Sequence, residues 1–84
     1  MMLRLTYPAI FTPDTEDCGF VIVFPDIPEA ITQANSIESG LVEAKDCLDE
    51  AVSGRLRLGK ILPKPSILEV AHYLISLEIA VNNI

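Results

Sequence analysis

Hydrophobic and polar residues alternate from Leu3 to Phe11: Leu3, Leu5, Tyr7, Ala9 and Phe11 fall on one side, Arg4, Thr6, Pro8 and Ile10 on the other. A period of two predicts a strand with one buried face. Pro8 has no amide proton for a ladder, so the strand is expected to lie at an edge or to be irregular there. The stretch from Thr12 to Gly19, with Pro13, Asp14 and Gly19 at turn positions, predicts a hairpin loop. Phe20 to Phe24 is apolar at every position and rich in β-branched and aromatic side chains. That pattern belongs to an inner strand covered on both faces, or to one lying in an oligomer. Pro25-Asp26-Ile27-Pro28 ends it in a rigid corner, because each proline fixes its own φ and pushes the preceding residue toward extended backbone. Glu29 to Gln33 then returns as a short third strand.

The period changes at Ser36. Ile37, Leu41, Ala44, Leu48 and Ala51 recur at spacings of four and three, with Val42, Cys47 and Val52 widening the stripe, which predicts an amphipathic helix. Ser36 is placed to cap it, Glu38 to favour its positive end, and Gly54 to stop it. Glu43, Lys45, Asp46, Asp49 and Glu50 make up the wet face. An interior glycine costs about 1 kcal/mol relative to alanine, so Gly40 implies either tolerance or a close approach to the sheet. Arg55 to Lys60 reads as a basic connector, and the prolines between Ile61 and Ser66 require extended chain. Two periods overlap in the last segment. Ile67, Ala71, Leu74 and Glu78 stand at helical spacing, whereas Ile75, Leu77, Ile79 and Val81 alternate with Ser76, Glu78 and Ala80. The β-branched content and Pro65 favour a strand from Tyr73 to Val81. The order β-β-β-α-β predicts an α+β domain with one helix packed on an antiparallel sheet.

Composition narrows the function classes. The 84 residues leave room for one hydrophobic core, hence a single domain spanning 1–84. With half the residues hydrophobic, the chain is too apolar for disorder. The net charge is −6, and residues 14–50 hold ten of the twelve acids against one base, Lys45, while four of the six bases crowd between Arg55 and Lys64. An acidic chain opposes non-specific nucleic-acid binding. The uneven charge reads either as a solvated surface or as an interface for a basic partner. Cys18 and Cys47 form no CxxC pair and are expected as free thiols in a reducing compartment. No secretory signal is visible at the start, and the uncharged run from Val70 to Leu77 is far shorter than the roughly 20 residues that span a bilayer. A cytoplasmic protein without membrane contact is expected.

Chemistry-bearing constellations are sparse. The one histidine, His72, has no acid at a spacing that would orient it; Cys18 has no basic neighbour, and Cys47 falls on or beside the apolar helix stripe as a core residue. No metal or cofactor is expected, since Gly19, Gly40, Gly54 and Gly59 are too far apart for a phosphate loop and no ligand set has metal spacing. Asp14, Asp17, Asp26 and Glu29 are the carboxylates that hairpin and corner would have to gather for hydrolysis, and nothing in their spacing demands that. The chain is not expected to be an enzyme. The basic connector lacks interleaved aromatic side chains on which bases would stack.

Tyr7-Pro8-Ala9-Ile10-Phe11-Thr12-Pro13, followed by Gly19-Phe20-Val21-Ile22-Val23-Phe24-Pro25-Asp26-Ile27-Pro28-Glu29-Ala30-Ile31-Thr32-Gln33, resembles the N-terminal domain of HicB-type antitoxins. Ser36 through Val52 and the exit Leu62-Pro63-Lys64-Pro65-Ser66 continue the resemblance, which covers about residues 5–66 in register. It implies a partial RNase H-like fold without the catalytic carboxylates of a true RNase H. It also implies a function, the capture of a small basic RNA-cleaving toxin of the HicA type by covering its catalytic histidine. The chain departs from the family at Ala34, where glycine is usual, at Gly40, where alanine is usual, and at Gly54-Arg55-Leu56, which replaces aromatic residues.

Such antitoxins usually continue into a ribbon-helix-helix or helix-turn-helix domain that binds their own operator. This chain ends about three residues past its last expected strand, so no C-terminal DNA-binding domain and no direct DNA binding are expected of it. An acidic surface complementary to a basic toxin is assigned to Asp26 and Glu29 at the corner and to Glu43, Asp46 and Glu50 on the helix. The strand apolar on both faces and the apolar C-terminal strand add an expectation of self-association, as a dimer or higher. Two other readings stand beside this one: a HicB-like module of an orphan or degenerate system with a non-toxin partner, and a weak RNA hydrolase using the loop carboxylates.

Overall fold

The computed structural model describes residues 2–14, 16, 18–67 and 73–80. The alternating segment forms β1 (Met2–Asp14), longer at both ends than the Leu3–Phe11 pattern indicates. It is followed by β2 (Gly19–Val23), β3 (Ile31–Ala34), α1 (Ile37–Arg57) and β4 (Tyr73–Ala80). The sheet is antiparallel in the order β3-β2-β1-β4. β1 changes partner midway: Met2 to Ala9 pair with β4, and Ile10 to Asp14 pair with β2. Pro8, opposite Leu74, therefore stands in the half of β1 whose paired neighbour is β4 alone. The missing amide is tolerated at this local edge although β1 is inner in the strand order. β4 confirms the strand reading of the last segment; Val81 lies outside the described residues.

One face of the sheet is closed by α1. Tyr7, Ala9, Phe11, Ile22, Ile75 and Leu77 from the strands meet Ala44, Leu48 and Val52 from the helix, with Phe24, Ile27 and Ala30 from the corner after β2, all buried. Gly40 resolves as a close approach, since a Cβ there would stand 2.6 Å from Cε2 of Phe11 and 3.2 Å from Cδ1 of Ile22. The Phe11 ring in turn packs at a tilt on Tyr73, with centroids 4.7 Å apart.

The helix ends follow local chemistry at one end and correct the sequence reading at the other. Ser36 accepts from the Ser39 amide at 3.1 Å, and the Ser39 hydroxyl accepts from the Ser36 amide at 3.3 Å, which makes a reciprocal cap. Gly54 does not stop the helix. Gly54 is not in the left-handed conformation of a helix stop, and α1 runs through it to Arg57. The stop is Gly59, at φ +71°: its amide donates to Leu56 O and the Lys60 amide to Arg55 O, the paired bonds of a Schellman motif. Arg55 and Arg57, read above as connector, therefore belong to the last turn of α1, where they face the negative end of the helix dipole. The third strand also starts later than Glu29. Successive turns, Ile27 N to Phe24 O, Ala30 N to Ile27 O and Ile31 N to Glu29 O, use the backbone through Ala30 before pairing with β2 begins.

Candidate partner-binding surface

The corner after β2 is a clamp. Asp26 accepts hydrogen bonds from the Ser66 amide at 2.8 Å and from the Ser66 hydroxyl at 2.5 Å. Arg55 donates from Nε and Nη2 to the two Glu29 oxygens at 2.5 and 2.7 Å, a two-pronged ion pair. Tyr7, buried beneath, donates its hydroxyl to Pro63 O at 2.7 Å. Corner, last helical turn and the extended segment 61–66 are thereby tied together. The Arg55 hydrogen bond is the main cause holding the Glu29 carboxyl down at about 2. Burial, then the nearby Asp26 charge, pushes the Tyr7 phenol up.

The helix acids are placed differently. Glu43, Asp46 and Glu50 follow one another at i, i+3 and i+7, so the 3.6-residue period lays them along one exposed stripe beside Glu38 and Asp49. None of the three makes a hydrogen bond or ion pair among the described residues. Cys47 sits between Glu43 and Glu50 at the flank of the buried seam, and its thiol donates to Ile31 O at 3.6 Å. Burial raises its pKa, and the Glu50 and Glu43 charges add to that.

The five residues assigned to the interface do not share one cleft. Glu29 and Glu50 flank a shallow groove with Cys47 and Arg55. Glu43 lines another with Asp14, Gln33 and Ser39, and Asp46 a third with Lys45, Asp49 and Arg4. Asp26 lines none of the three grooves, so the structure spreads the assigned acids over the corner and the helix rather than gathering them. Sequence reasoning missed Arg55 and Ser66 as partners of the corner, since they stand 26 and 40 residues away and no local pattern announces them.

The loop carboxylates are not gathered either. Asp14 lies opposite Gly19 at one end of β2, whereas Asp26 and Glu29 follow its other end. Among the described residues no group of three His, Cys, Asp or Glu side chains is arranged to hold a metal ion. Asp17 and His72 lie outside the described residues. Cys18, exposed and at φ +56° in the hairpin, and half-buried Cys47 are free thiols. No helix among the described residues is long and apolar enough to cross a membrane.

Residues 6–83 match a family model described as the HicB_like antitoxin of bacterial toxin-antitoxin systems. The chain is 32% identical over 77 residues to Antitoxin HicB of Escherichia coli (strain K12), covering 92% of this chain and 55% of that protein. It is 35% identical over 66 residues to Antitoxin HicB 2 of Photorhabdus laumondii subsp. laumondii, covering 79% of this chain and 46% of that one. It thus spans about half the length of the curated relatives it matches. The fold is shared with the crystal structure of the N-terminal domain of Burkholderia pseudomallei antitoxin HicB, at a TM-score of 0.67 and 17% identity, covering 94% of this chain and all of that one. An antiparallel sheet under one helix, reached from the residue pattern and present in the structure, agrees with these matches: the chain belongs to the HicB_like antitoxin family of bacterial toxin-antitoxin systems.

Proposed function

We propose that these residues act in the cytoplasm as the toxin-capturing domain of an antitoxin, binding a small basic RNA-cleaving toxin of the HicA type and masking its active site. The observation that carries this reading is the stripe of Glu43, Asp46 and Glu50, exposed and without a partner among the described residues, on a chain of net charge −6. An RNA-cleaving protein must present a basic surface to its substrate, and an acidic helix of matching reach competes for that surface. Residues 1–84 act as one domain in this capture. These residues hold the toxin and do no chemistry of their own.

The test pairs the chain with the small basic protein encoded beside its gene. Complex formation that stops RNA cleavage supports the reading. Changing Glu43, Asp46 and Glu50 together to lysine is expected to slow association by about 10-fold or more at low salt, with folding stability altered by no more than about 0.5 kcal/mol. Binding unchanged by the triple reversal removes the helix from the interface, and absence of any complex returns the chain to the orphan-module reading.

A further inference from the structure

Three of the four glycines are required by the fold. A Cβ at Gly19 would stand 2.5 Å from Ala34 O and one at Gly40 2.6 Å from the Phe11 ring, while Gly59 is at φ +71°. Gly54 has no such reason. Its backbone is helical, and a Cβ there would meet, among the described residues, the Arg57 guanidinium alone, at an ordinary 3.8 Å. Alanine would fit and would hold the helix better, since glycine has more backbone freedom to lose on folding. The gap lies on the row that carries the free acids. Glu43, Asp46 and Glu50 are followed, four and three residues on, by Gly54 and Arg57, so they share one side of α1. Gly54 lines a groove there with Cys47, Ala51 and Leu58. Glu50 stands before the gap and Arg57 and Lys60 beyond it, with roughly 10 Å of helix axis between Glu50 and Arg57. Along the side, Glu29 and Arg55 cancel each other, which leaves the charge of the groove to its two ends.

We infer that the basic toxin of the proposed function lays an amphipathic helix across α1 at Gly54, its backbone nearest where α1 has no side chain. Its cationic residues lie over Glu50 and the acids before it, and a carboxylate turns toward Arg57 and Lys60. This inference rests on the proposed function and locates the contact within it. Packed helices run about 8–10 Å apart, a distance set by the side chains at the crossing, so the position without a Cβ is where a second helix comes closest. A helix seated in a groove is a recurrent mode of recognition. The charge selects against other occupants. Nucleic acid and anionic lipid carry one sign and would face Glu43, Asp46 and Glu50, and an open groove does not enclose a small ligand. A protein element can place both signs within two helical turns. The basic exit from α1, an obstacle to a basic partner if net charge alone decided, becomes the contact that fixes the direction of the bound helix.

The experiment measures the affinity of the small basic protein encoded beside the gene for the wild-type chain and its variants, alongside thermal melts of each free chain. The wild type is expected to bind. Gly54→Ala is expected to melt about 2–8 °C above wild type. It should nevertheless bind about 10-fold more weakly, and Gly54→Gln, which fills the gap further, about 100-fold more weakly. Gain of stability with loss of binding separates a docking role from a structural one, and the alanine variant carries the test should the glutamine variant fail to fold. Arg57→Glu with Lys60→Glu makes the chain more acidic yet is expected to weaken binding about 10-fold. A Gly54→Ala chain that melts below wild type, Gly54 variants that bind like wild type, or a double reversal that binds more tightly overturns the inference and leaves the complex itself standing. Absence of any complex with the wild type overturns it together with the proposed function.

Discussion

The corner and the helix carry the same kind of side chain and put it to different use. Asp26 and Glu29 are held by Ser66 and Arg55, whereas Glu43, Asp46 and Glu50 have no partner among the described residues. A carboxylate already saturated within the chain has little left for an outside cation, so the corner acts first as a strap that fixes the end of α1. The helix acids are exposed and make no such tie among the described residues. Negative charge in a sequence therefore marks a candidate interface only after internal partners are counted.

The comparison can be broken at its strongest point first. Asp26→Ala removes both hydrogen bonds to Ser66 and is expected to lower the unfolding free energy by about 1–2 kcal/mol, measured by urea denaturation; a change within error would mean that the extended segment is held by the Tyr7 hydroxyl on Pro63 O alone. Gly59→Ala comes next. Forcing an L side chain into the left-handed stop of α1 is expected to cost about 1 kcal/mol, and amide exchange should rise in the last turn, which presents Arg55 to Glu29. Unaltered exchange at Arg55 would separate the stop from the clamp.

Glu29→Gln has the smallest effect. The Glu29 side chain is 48% exposed, so despite its low pKa the ion pair contributes no more than about 1 kcal/mol. The sign of its pH dependence is set by the direction of the shift. A carboxyl lowered from 4.5 to about 2 contributes fully above 4.5, and the contribution fades as pH falls through about 2. The stability difference between wild type and Glu29→Gln should accordingly close between those pH values; a constant difference would assign it to packing. The helix acids complete the series, since their reversal is expected to change association and leave stability in place.

Much of this was legible from periodicity. Alternation from Leu3 to Phe11, the apolar run at Phe20 and the stripe from Ile37 to Val52 each specify one element, because side-chain direction repeats every two residues in a strand and every 3.6 in a helix. Ser36 was readable as a cap for the same local reason. The helix stop was not: two glycines stood within reach, and only the hydrogen bonds of Leu56 and Arg55 show that the left-handed one is Gly59. Pro8 announced an edge, but that the edge is the half of an inner strand left unpaired before β2 begins is a matter of register.

Sequence alone thus determined the kinds of element, their order and the acidic balance, all of which follow from local side-chain direction and from counting. Only the tertiary structure decided which acids are free. Glu29 meets Arg55 across 26 residues and Asp26 meets Ser66 across 40. Those distances close only when the β2 corner, the last turn of α1 and the extended exit pack against the same buried Tyr7, a condition that no window of the chain contains.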